Sequence, residues 1–172
     1  MRKLKFLAAS AALAVAFGAA GAAQAQIAPG SNAPIDIAAD ESEVFTQECR
    51  TIWRGDVEAL QARTRLRTRT LNVYYARNGN ECGDTERLVA EGEVYYVSED
   101  RRIRANTATY LAKGETITLT GDVVVVQGQN VARADRVVID LRTGKSQMVA
   151  ASRGRASKNR VRAVLYPGSS QN

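Results

Sequence analysis

The sequence contains no histidine, and its 172 residues include only two cysteines, three prolines and one tryptophan. Without histidine, catalytic Ser-His-Asp and Cys-His systems are excluded, and so are zinc sites with imidazole ligands. The chain has no CxxC pair, and no glycine-rich phosphate loop opens a helix. We therefore expect no metal ion, no cofactor and no enzyme of these classes.

Long apolar runs are confined to the first 25 residues, which have the three parts of a secretory signal peptide. The basic start is followed by an apolar run over residues 6–20 and by the small-x-small triplet Ala23-Gln24-Ala25. We expect cleavage after Ala25 and an exported, soluble chain. The signal segment holds 3 of the 24 basic residues and no acidic one, so 21 basic and 18 acidic residues remain. A net charge of +3 does not point to nucleic acid.

The two cysteines, Cys49 and Cys82, are predicted to form one disulfide bond, because an exported protein folds in an oxidising compartment. The bond would close a loop of about 33 residues and stabilise the fold by roughly 3–4 kcal/mol.

The rest of the chain consists of short β-branched runs that are organised by an internal repeat. Each unit is predicted as strand, glycine turn, strand, polar break and strand. The first interval is longer and carries a predicted turn-rich loop over residues 78–83. The glycine turn of each unit carries a Gly-acid-Val signature: Gly55-Asp56-Val57, Gly92-Glu93-Val94 and Gly121-Asp122-Val123.

Stacked copies of such a unit predict an all-β fold, an elongated open β-jellyroll of short antiparallel strands. Residues 57–63 are good helix formers, but the repeat aligns them with two clear strands, so we predict a strand there. The predicted divisions are the signal peptide (1–25), an N-terminal lead (26–33), the β domain (34–166) and a flexible tail (167–172).

Alternate residues of these strands form an apolar face. That face is either a closed core or an open groove that accepts acyl chains. From alternation it includes Val57, Val123, Val125 and Ile139, together with Trp53, Val94 and Tyr96.

An arginine track follows the first repeat, with Arg63, Arg65, Arg67 and Arg69 at alternate positions. On one side of a strand they could bind phosphate or sugar acids. The alternative is a solvated outer face that protects the sheet from aggregation.

The order and spacing of these motifs resemble the OstA-like superfamily, and within it the LptA family of lipopolysaccharide-transport bridges. The likeness runs from Pro34 to about Pro167. It is carried by residues 34–40, 53–57, 119–123, 133–137 and 140–145. The resemblance implies a periplasmic protein whose groove shields the lipid A acyl chains, with Ile35, Ile37 and Tyr110 facing the cargo.

The resemblance also implies copies joined end to end. They would meet the inner-membrane Lpt complex at the N-terminal edge and the outer-membrane Lpt assembly at the C-terminal edge. Three alternatives stay open: a closed-core structural or polyanion-binding envelope protein, another Lpt component with the same fold, and a glycan-acting enzyme that uses paired carboxylates.

Overall fold

The structure, a computed structural model, describes residues 26–151 and 160–167, and these form one antiparallel sheet of ten strands. The predicted signal peptide and residues 168–172 of the predicted tail lie outside the described residues. The predicted all-β class and open jellyroll are confirmed. The strands are β1 (Asp36–Ala38), β2 (Glu41–Phe45), β3 (Arg50–Gln61), β4 (Thr64–Asn78), β5 (Glu81–Val97), β6 (Arg102–Leu111), β7 (Thr116–Gln127), β8 (Asn130–Asp140), β9 (Ser146–Val149) and β10 (Arg162–Val164).

The sheet is a meander in which β3 to β8 pair in chain order. Its first edge is made by β1 and β2, which pair with the two halves of β3. Its last edge is made by β9 and β10, which pair with the two halves of β8. The predicted strand over residues 57–63 is confirmed as far as Gln61, where β3 ends.

The predicted glycine turns are wrong, because the Gly-acid pairs lie inside continuous strands as β-bulges. Gly121 and Asp122 have positive φ angles of 81° and 45°, and the β7–β8 register shifts between Thr120 and Val123. The same two-residue bulge occurs at Gly55-Asp56 and at Gly92-Glu93. An added residue of this kind bends a strand sharply while its pairing continues on both sides.

The bulges fold the sheet over, so that each long strand contributes one half to each of two facing walls. Residues of both walls belong to one hydrophobic core cluster. The first wall (wall A) contains β1, β10 and residues 57–61, 64–67, 94–97, 102–105, 123–127 and 130–134. The second (wall B) contains β2, β9 and residues 50–54, 70–78, 81–91, 107–111, 116–120 and 136–140.

The predicted disulfide between Cys49 and Cys82 is confirmed, with a Cα–Cα distance of 5.3 Å. The predicted loop over residues 78–83 is wrong: β4 ends at Asn78 and β5 begins at Glu81, so only a tight turn separates them. The longer first repeat therefore extends two strands of wall B. The disulfide joins this extension to the residue that precedes β3.

Candidate functional site

The interior between the two walls contains the hydrophobic core cluster of the fold. In wall A, one cross-strand row runs from Ile37 through Leu66 and Tyr96 to Val125. In wall B, the facing row includes Leu88, Tyr110, Ile117 and Ile139. These side chains point inward because the strands keep a period of two on each side of the bulge.

The structure places all ten residues predicted for the apolar face in or against this interior. Seven are buried, namely Val57, Val94, Tyr96, Tyr110, Val123, Val125 and Ile139. Three are partly buried and pack against the same cluster, namely Ile35, Ile37 and Trp53. Sequence reasoning missed several large members, although the same alternation marks them: Leu66, Leu71, Leu88, Ile103, Ile117 and Leu119.

The walls lie close together in this structure. At the first edge, an open cavity of about 450 Å³ separates Ile35 and Ile37 from Val73, Tyr75 and Leu88 of wall B. Further along the sheet, the enclosed cavity between the walls is about 20 Å³, room for about one water molecule. Leu66 and Tyr96 line it from wall A, and Leu88, Tyr110 and Ile117 line it from wall B. To pass through this enclosed part of the interior, an acyl chain needs the walls to part or another group to leave.

A segment at the start of the described chain also reaches this interior. Ile27 is only 2% exposed and lines the cavity together with both walls. Its backbone N–H donates to Oε1 of Gln61 at 2.6 Å, and its carbonyl oxygen accepts from the hydroxyl of Tyr96 at 3.0 Å. Sequence reasoning assigned residues 26–33 to a lead that precedes the domain.

Burial raises the pKa of Tyr96 to about 12, and the nearby Arg101 only partly opposes this effect. The folded state therefore holds the phenol proton more tightly than the unfolded state, whose pKa is 10.0. The resulting stability is fully present below pH 10 and is lost as the pH rises to about 12. Burial also raises the pKa of Tyr110, and the backbone of Gln26 opposes that shift.

Between pH 10 and 12, the unfolding free energy of the parent protein should fall by roughly 2–3 kcal/mol, because each unit of pKa difference corresponds to about 1.36 kcal/mol. We predict that Tyr96→Phe removes this fall. Urea unfolding across this range measures the effect. Tyr95→Phe is the matched control, because Tyr95 lies outward on the same strand and is 43% exposed. An equally steep fall in both variants would contradict the assignment to Tyr96.

The arginine track faces solvent. Arg65 and Arg67 point outward from wall A because their neighbour Leu66 points inward. Arg63 lies in the connection after β3, and Arg69 lies at the bend. Arg63, Arg65 and Arg69 pair with the carboxylates of Glu99, Glu58 and Glu93. Such exposed pairs contribute at most about 1 kcal/mol each.

Both edges of the sheet leave backbone groups unpaired within the described residues. The strands β1 and β10 each pair on one side only. Near the last edge, four apolar side chains are exposed, namely Val161, Val164, Leu165 and Tyr166. Unpaired strands of this kind are templates for strand addition by another chain.

Among residues 26–151 and 160–167, no group of three or more cysteine, aspartate or glutamate residues is arranged to hold a metal ion. The described residues also contain no helix with the length and hydropathy needed to span a membrane.

Comparison with known proteins gives a family match and matches to solved structures. The model of the family "LptA/(LptD N-terminal domain) LPS transport protein" matches residues 36–145. A solved structure, LptH of Pseudomonas aeruginosa, is described as "the LptA homologous periplasmic component of the conserved lipopolysaccharide transport device". It is 22% identical and superposes with a TM-score of 0.66 over 81% of this chain and 99% of its own. No curated protein sequence matches the chain.

Proposed function

The chain belongs to the LptA/(LptD N-terminal domain) family of lipopolysaccharide-transport proteins, and on that premise we propose that it is an LptA-type periplasmic carrier. It binds the acyl chains of lipopolysaccharide between its two walls and passes them from the inner to the outer membrane. Carriage of this kind makes and breaks no covalent bond, so the protein acts without catalysis.

The observation that carries this proposal is the apolar interior to which every repeat contributes. The inward rows continue from strand to strand without a charged residue, for example Leu88, Tyr110, Ile117 and Ile139 in wall B. Burial of an acyl chain against such surface is favourable by about 0.8 kcal/mol per methylene. The interior therefore offers a path along the sheet, at right angles to the strands.

The proposed bridge uses the two edges. The N-terminal edge, β1 and β2, would meet the inner-membrane Lpt complex, and the C-terminal edge, β9 and β10, would meet the outer-membrane Lpt assembly. A second copy would add its first edge to the last edge of this one. The outer sides of β1 and β10, which have no strand partner among the described residues, and the exposed Val164 and Leu165 support this arrangement.

A second candidate function is a polyanion-binding envelope protein with a closed core. Two observations favour it: the walls are in contact, and the arginine track lies on the outer surface. This alternative predicts salt-sensitive binding of anionic sugars at wall A and no contact with acyl chains.

Photo-crosslinking in cells tests the carrier proposal. A photoreactive phenylalanine analogue in place of Tyr110 or Ile37 should form adducts with lipopolysaccharide, because both residues face the interior. The matched controls are Leu111 and Asp36, the outward neighbours on the same strands. Adducts at the outward positions alone would refute the carrier and favour the polyanion-binding protein.

A further inference from the structure

Ile27 occupies the interior without belonging to the sheet. It lines the same cavity as Leu66 and Tyr96 of wall A and Tyr110 of wall B. Its neighbour Ala28 is 4% exposed, whereas the rest of residues 26–33 is half-buried or exposed. One apolar side chain and a short piece of backbone therefore fill space between the walls.

Among the described residues, Gln61 and Tyr96 bind the segment through their side chains, and the segment pairs with none of the ten strands. Oε1 of Gln61 accepts from the N–H groups of Ile27 and Ala28 at 2.6 and 2.9 Å. Nε2 of Gln61 donates to the carbonyl oxygen of Ala33 at 2.7 Å, and the hydroxyl of Tyr96 donates to that of Ile27. Release of the segment thus leaves the strand pairs of the described sheet intact.

The polar groups that hold the segment also define what could replace it. Gln61 is 1% exposed and Tyr96 is 2% exposed, so both need partners when the segment leaves. An amide-linked acyl chain offers the same groups as Ile27: an apolar chain, an N–H donor and a carbonyl acceptor. An ether-linked chain offers neither the N–H nor the carbonyl.

We propose that residues 26–33 form a displaceable plug, in which Ile27 holds the place of an amide-linked acyl chain between the walls and Gln61 and Tyr96 bind the amide once the plug leaves. This inference rests on the proposed carrier function. A lipid chain buries more apolar surface than a single isoleucine side chain, so lipid displaces the plug. The plug keeps the interior filled while no cargo is present.

Amide hydrogen exchange, measured by NMR on the protein that begins at Gln26, tests the displacement. Without lipid, the Ile27 and Ala28 amides should exchange slowly, because Gln61 accepts both. With saturating purified lipopolysaccharide they should exchange at least about tenfold faster, as expected for a shift to the released state. The Asp40 amide, which donates to the Gly55 carbonyl within the sheet, is the reference and should stay protected.

Two substitutions separate the plug from the ligand contacts. Ile27→Gly should strengthen lipopolysaccharide binding by about tenfold, because binding no longer competes with the plug. Pro29→Ala, at an exposed position of the same segment, should leave binding unchanged. The parent protein should bind N-dodecanoylglucosamine more tightly than the matching dodecyl ether. Gln61→Leu should abolish this difference in affinity. Protection of the Asp40 amide checks that each variant is folded.

The outcomes distinguish this inference from the carrier proposal. If lipopolysaccharide binds while the Ile27 and Ala28 amides stay protected, the plug is a permanent part of the core and the inference is wrong, but the carrier stands. If neither the parent protein nor Ile27→Gly binds lipopolysaccharide, both fail.

Discussion

Loss of the Cys49–Cys82 disulfide should lower the free energy of unfolding by about 3–4 kcal/mol, the loop-entropy value for a separation of 33 residues. The bond joins the residue before β3 to the second residue of β5, so it restricts the unfolded chain across β3 and β4. The double variant Cys49→Ala/Cys82→Ala avoids a free thiol. Urea unfolding of the oxidised parent protein and of the double variant measures the difference.

A reducing agent provides the matched control for this prediction. It should destabilise the parent protein by the same amount and leave the double variant unchanged. In the folded state, the Tyr75 amide still donates to the Cys49 carbonyl, so the end of wall B remains connected through its backbone. If the free energy of unfolding fell by less than about 1 kcal/mol, the unfolded chain would already be structured across β3 and β4 without the disulfide. That result would contradict the loop-entropy account.

The bulge at Gly121 is the second position where a large effect is expected. Gly121→Ala should lower the free energy of unfolding by about 3 kcal/mol. Roughly 1–2 kcal/mol of this loss comes from the left-handed backbone conformation, and the remainder comes from a steric clash. A Cβ atom at Gly121 would lie 2.5 Å from Nδ2 and 2.8 Å from Cβ of Asn106 on β6. Urea unfolding measures the loss.

The chain offers a control for each part of this cost. Gly128→Ala has a similar positive φ of 55° but meets nothing within 4 Å, so it should show the backbone cost alone. Adding Asn106→Gly to Gly121→Ala should remove the clash and restore about 1–2 kcal/mol in a double-mutant cycle. Equal losses for Gly121→Ala and Gly128→Ala would contradict the close packing across the bend.

The same contact recurs along the bend and explains part of the sequence repeat. Arg69 packs over Gly92, Asn106 over Gly121, and Asp40 over Gly55. At Gly92 and Gly121 the polar break of one strand therefore covers the glycine of the next strand, and a side chain at the glycine would push the two strands apart. These positions keep the two walls facing each other, and the proposed carriage of lipid depends on that arrangement.

Local patterns were enough to predict most of the fold. Period-two alternation placed Val123, Val125 and Ile139 on the inward face, and the repeat correctly overruled the helix-forming composition of residues 57–63. The glycines were recognised but were interpreted as turns. The reason is that a bulge and a turn use the same positive-φ residues, and only the pairing of strands on both sides distinguishes them.

The hydrogen bonds between Gln61 and the N-terminal segment could not be predicted from the sequence. Gln61 is the one buried amide side chain of β3, and it lies in the part of the strand whose composition favours a helix. Its partners at Ile27, Ala28 and Ala33 lie 28 to 34 residues earlier in the chain. A lone isoleucine in an irregular segment has no periodicity to mark it as buried. Contacts of this kind exist only after the walls have come together.

By itself, the sequence determined the strand content, the bend positions, the disulfide and the resemblance to the family, because each depends on residue type at short spacing. The tertiary structure alone decided that the arginine track lies on the outer side of wall A. Arg65 and Arg67 alternate with Leu66 whichever side is buried, and the facing wall settles the choice because burial favours the apolar side chain. It also decided that Ile27 fills the interior, since that contact needs both walls and the fold of the sheet between them.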